Sequence, residues 1–84
     1  MKDNFFTPEI CLAAVLLSRG FQLSHVSKEA GADRVQFVFP NSDDLLLLVQ
    51  LFWQKQVLVN VHTFYENLKF LKARLRNETP ESKN

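Results

Sequence analysis

The stretch Asn41-Ser42-Asp43-Asp44-Leu45-Leu46-Leu47-Leu48-Val49-Gln50-Leu51-Phe52-Trp53 decides how the chain is read. It opens with residues that cap helices, and it sets two carboxylates where the positive end of a helix dipole favours them. Beyond Asp44 it is almost wholly apolar. As a helix it presents Leu45, Leu48, Val49 and Phe52 at i, i+3, i+4 and i+7, one core-facing stripe. Leu46, Leu47 and Leu51 fall outside that stripe. Left uncovered, they form an exposed apolar patch, the usual mark of a surface that meets a partner. The expected interface is Leu46, Leu47, Gln50 and Leu51, with Phe70 as a candidate neighbour.

Upstream, Arg34–Phe39 alternates with period two and puts Val35, Phe37 and Phe39 on one face of a strand that Pro40 stops. Phe21–Ser27 alternates as well, with Phe21, Leu23 and His25 as the inward set and Val26 out of phase. Gly31 and small residues between the two runs make a turn, so the pair reads as an antiparallel hairpin. A two-stranded hairpin is marginal alone and needs helices over one face. The first helix is expected to start at Thr7 as cap and Pro8 as first helical residue, with Phe6 folding back as a hydrophobic staple. Ile10, Ala13, Ala14 and Leu17 repeat at helical spacing, and Gly20 ends the helix after Arg19.

Downstream, Gln54-Lys55-Gln56 is a polar break. Val57-Leu58-Val59 is either a short third strand or an extended segment tucked under the core. Asn60 is a good cap for a last helix running from Val61 to about Arg76. Val61, Phe64, Leu68, Leu71 and Leu75 make its buried stripe. Residues 77–84 have no apolar side chain to bury and are expected to form a flexible tail. The expectation is one small α+β domain over residues 1–76, in the order α-β-β-α-(β)-α. Its antiparallel hairpin is covered by helices, with the Asp43–Trp53 helix between the first and the last.

This order of residues resembles a family of short bacterial and phage-associated domains of unknown function. The likeness rests on Phe6-Thr7, Glu9-Ile10, Leu12-Ala13-Ala14, Gly20-Phe21, Arg34-Val35, Phe37-Val38-Phe39, Leu48-Val49, Phe52-Trp53 and Leu58-Val59-Asn60. It continues through Phe64, Leu68 and Leu71-Lys72 to Leu75. The resemblance implies the α+β fold and attaches no catalytic motif. The chain departs from that pattern where Leu46, Leu47 and Leu51 stand, positions that tend to be acidic in the family.

Composition narrows the chemistry. The chain has 84 residues, 46% of them hydrophobic, and a formal net charge of +1. That is enough for one modest core and too little charge for a global pull on nucleic acid or membrane. The one cysteine, Cys11, excludes an internal disulfide and is expected to be a small buried hydrophobe. No apolar run reaches the roughly 18–20 residues that span a bilayer, and the N-terminus lacks the pattern of a secretory signal. The expected setting is therefore cytoplasmic and soluble. His25 and His62 lie in different elements and give Cys11 no evident base, so an enzyme is disfavoured. Asp43 and Asp44 suit a helix start better than metal ligation, and neither Gly20 nor Gly31 lies in a phosphate-binding loop. No cofactor, metal or small-molecule substrate is indicated. Trp53 fits a core plug better than a partner anchor.

Two binding readings remain. The leading one is a non-catalytic module that self-associates or docks on a larger protein through the Asp43–Trp53 helix. The alternative is a nucleic-acid-binding accessory protein. For that, Lys69, Lys72 and Arg76 share a face of the last helix, Arg74 lies nearby, and Phe70 is an aromatic off the buried stripe.

Overall fold

The computed structural model of the chain describes residues 3–28 and 35–78. Its elements are β1 (Asn4–Thr7), α1 (Ile10–Ser18), β2 (His25–Lys28), β3 (Val35–Pro40), α2 (Asp43–Trp53) and α3 (Val61–Glu78). Three helices thus stand with an antiparallel sheet of order β1-β3-β2, an α+β domain as expected.

Among the described residues three strands, not two, make the sheet, and the third is not Val57–Val59. Phe5, Phe6 and Thr7 belong to a strand where the sequence suggested a helix start. The residue before a proline is pushed towards extended backbone, so Pro8 holds Thr7 in β1. The Thr7 hydroxyl then accepts the Glu9 N–H at 3.1 Å and turns the chain. Glu9 becomes the extended N-cap of α1, without a side-chain cap bond. Phe6 is half exposed, at 50%, and does not act as a buried staple. Residues 56–60 carry no strand pairing. Val57 and Val59 instead pack partly buried against the core, while Leu58 between them points outward.

Registers fix the faces. Phe5 pairs with Phe39, Thr7 with Phe37 and Val26 with Phe37, so these side chains share the core side of the sheet. Phe37 and Phe39 are buried there. His25 pairs with Val38 on the opposite side and is exposed. The inward residue of β2 is therefore Val26, not His25. Phe21 and Leu23 do pack on the core, but from a coil that precedes β2. Val38 is buried too, although it points away from the core. A centre strand is shielded on both sides, here by Phe6 and His25 across from Val38.

The middle helix is α1, not α2. It packs most extensively on α3, and also on α2 and β1. Leu12, Ala13, Ala14, Val15 and Leu16 are all buried, five consecutive positions that turn through more than a full helical circle. Two alanines at 0% exposure let neighbours approach closely. Asn67 of α3 donates from Nδ2 to the Ser18 hydroxyl at 3.1 Å, and that hydroxyl donates to the Ala14 carbonyl at 2.7 Å. Cys11 is the exception on α1 and is exposed, contrary to expectation.

Two helix ends close in the same way. After α1, the Phe21 N–H bonds the Leu16 carbonyl and the Gly20 N–H bonds that of Leu17. After α2, the Gln56 N–H bonds Leu51 and the Lys55 N–H bonds Phe52. Both are Schellman closures, which need one residue in left-handed backbone. Gly20 supplies it at φ 98° and Lys55 at φ 63°. The starts of α2 and α3 are capped by residues that the sequence offered. Leu45 N–H donates to Ser42 Oγ at 3.1 Å, and Thr63 N–H to Asn60 Oδ1 at 2.9 Å. The last helix runs to Glu78, past the expected end at Arg76, and residues 79–84 of the expected tail lie outside the described residues. So does the expected turn at residues 29–33.

Candidate functional site

On α2 the core stripe is as read from spacing. Leu45 and Leu48 are buried, and Val49 and Phe52 are partly buried against the core. The other leucines are open to solvent: Leu46 at 40%, Leu47 at 59% and Leu51 at 40%. Gln50 is exposed among them. At about 100° per residue, these positions do not make a single knob. Leu47 and Leu51 lie on one flank of the helix, and Leu46 lies on the other with Trp53 seven residues on.

The first flank is one side of a groove. Leu47, Leu48 and Leu51 line it from α2, with Asp44 in the first helical turn, and Arg19 and Phe21 line it from the end of α1. Its volume is about 270 Å³. The Schellman turn at Gly20 sets Arg19 and Phe21 there. The Arg19 guanidinium also donates to the Leu58 carbonyl at 3.3 Å, in the segment before α3. Leu58 and Val61 in that segment are 86% and 80% exposed. The buried stripe of α3 therefore begins at Phe64, not at Val61, because the chain has not yet reached the core when the helix starts.

The second flank leads into a larger depression of about 370 Å³, lined by Val15, Phe52, Trp53, Lys55 and Val57. Trp53 is 59% exposed, which corrects the expected core plug. Its ring stands edge-on to Phe52, with centroids 5.0 Å apart and planes at 81°. The helix ends at Trp53 and the chain turns through Lys55, so no further helical turn follows the indole.

The candidate residues of α3 separate into two groups. Lys69, Lys72 and Arg76 are exposed and share one face by their i, i+3, i+7 spacing. Phe70 (47% exposed) and Arg74 (half-buried) lie across the core stripe from them, so Phe70 is not the aromatic of the basic face. That aromatic is Tyr65, four residues before Lys69 and 54% exposed. Lys69 Nζ stands 5.0 Å from the Tyr65 ring centroid and 3.9 Å from Glu66 Oε2. The i, i+4 spacing of Tyr65 and Lys69 carried the signal, but Tyr65 next to Phe64 read more simply as the rim of the core.

The polar residues weighed for catalysis are spread out. Ser24 Oγ lies 3.0 Å from His25 Nδ1 on adjacent, exposed residues. His62 Nε2 lies 3.8 Å from Glu66 Oε2 on the surface of α3. Among the described residues, no three of His, Cys, Asp and Glu come together as a metal site requires. No helix of the described residues is long and apolar enough to cross a membrane.

Residues 2–77 match the family described as Domain of unknown function (DUF5659), nearly the whole chain. No curated protein and no solved structure matches. The chain belongs to that family.

Proposed function

We propose that this member of a family of unknown function is a non-catalytic binding module that docks through α2. The observation that carries the reading is the outer surface of α2. Three leucines and a tryptophan stay open to solvent on a helix whose inner stripe already fills the core. Large apolar side chains gathered on both flanks of one helix are favourable to cover. Burying each would contribute about 1.5–3 kcal/mol before association costs. The absence of a catalytic role is likewise our inference. It rests on the scattered, exposed placement of Cys11, His25 and His62. The single cysteine fits a reducing compartment, and we place the protein in the cytoplasm on that ground.

Replacing Leu47 and Leu51 together by Glu tests the docking role. Both lie outside the core stripe and Glu is a good helix former, so the variant keeps its circular dichroism spectrum and loses association in sedimentation. If the variant unfolds, the two leucines belong to the core and the docking reading fails.

The second reading, nucleic-acid contact through α3, is favoured by the Tyr65–Lys69–Lys72–Arg76 stripe. An exposed aromatic within a row of cations can stack a base and hold phosphates. Changing Lys69, Lys72 and Arg76 to Gln would then flatten the salt dependence of binding by up to about three in slope. No binding by the parent chain at low salt ends this reading.

A further inference from the structure

Resting on the docking reading, we propose that the occupant of the Leu47–Leu51 groove is a second copy of this chain, related by a two-fold axis that sets each Arg19 against the partner copy's acidic Asp44 position.

The groove carries both signs of charge. Arg19 comes from the end of α1 and Asp44 from the start of α2, and they line the same depression together with Leu47 and Leu51. No ion pair joins them to each other or to another group among the described residues. Arg19 is already held in place, because one of its N–H groups is bonded to the Leu58 carbonyl. The remaining donors of its planar fork stay available for a carboxylate.

A two-fold interface must be complementary to itself: the same patch meets itself turned around. A patch of leucines with one sign of charge would repel its own copy. A patch with one cation and one anion is satisfied twice by a two-fold rotation, while its leucines meet leucines. Phosphate-bearing ligands do not fit this groove, since Asp44 and its neighbour Asp43 would oppose them. The net charge of +1 gives two copies little reason to stay apart.

The test uses the full chain and five samples in sedimentation velocity over a range of concentrations. The parent forms a concentration-dependent dimer. Arg19→Asp alone and Asp44→Arg alone each weaken dimerisation by at least about tenfold, because each places like charges face to face. Mixing these two variants restores a dimer, since every contact across the axis then joins an aspartate to an arginine. The double variant Arg19→Asp with Asp44→Arg also dimerises. If a reversal unfolds the chain by circular dichroism, Arg19→Gln and Asp44→Asn replace it and must each weaken the dimer. A parent that is monomeric throughout overturns the proposal. So does a dimer indifferent to these changes, or singles that weaken but do not recover on mixing. Those results leave docking on another protein standing, whereas unfolding of the Leu47, Leu51 double variant removes docking itself.

Discussion

Lys55→Gly should stabilise the protein. Lys55 closes α2 at φ 63°, in left-handed backbone that sets a Cβ against the following carbonyl. For a residue other than glycine that conformation costs about 1–2 kcal/mol. Glycine removes the clash but loses more conformational freedom on folding, about 0.5–1 kcal/mol. The difference leaves a net gain of about 0.5–1 kcal/mol, or roughly 2–8 °C in melting temperature for a domain of this size. Loss of the lysine side chain is a competing term, because Lys55 lines the depression beside Trp53. Lys55→Ala separates the two, since it removes the side chain and keeps the strain. Gly20→Ala is the mirror experiment. Gly20 sits at φ 98°, and a Cβ there would meet no atom within 4 Å, so any destabilisation comes from backbone conformation alone. Urea titration with unchanged m-value, followed by circular dichroism, gives each difference. If Lys55→Gly is no more stable than Lys55→Ala, backbone strain at the α2 end is not a cost to the fold and the reasoning fails.

Two further outcomes test the core. Phe37→Ala should cost about 3–5 kcal/mol, a large part of the stability of so small a domain, because Phe37 is 1% exposed in the centre strand with α-helices over it; an unchanged urea midpoint would put the other face of β3 inward. Ala14→Leu should cost about 1–3 kcal/mol by overpacking, since Ala14 has no exposed surface on the helix between α2 and α3; a neutral result, read from the melting curve, would mean that the α1 packing has room to spare.

Local chemistry alone determined a good deal of this protein. Ser42 and Asn60 had to start helices because their side-chain oxygens reach the free N–H groups, and Gly20 had to end one because it tolerates left-handed backbone. The Leu45, Leu48, Val49, Phe52 stripe and the inward Phe37 and Phe39 of β3 followed from periodicity. Leu46, Leu47, Gln50 and Leu51 were legible as outside the stripe for the same reason. What the tertiary structure decided was which surfaces find a neighbour. The sequence reads Phe6-Thr7-Pro8 as a helix start, but pairing with the edge of β3 makes Asn4–Thr7 a strand. The apolar run of α1 has no polar face, which is the pattern of a helix buried all round. Its place between α2 and α3 still depends on where those helices pack. Trp53 and Tyr65 show the reverse. Each is large and apolar enough for the core and adjoins a core phenylalanine, yet each stays more than half exposed. The groove that joins Arg19 and Asp44 lies furthest from sequence reasoning. Its two walls are 25 positions apart, and it exists only because a glycine turn and a capped helix start come together in space.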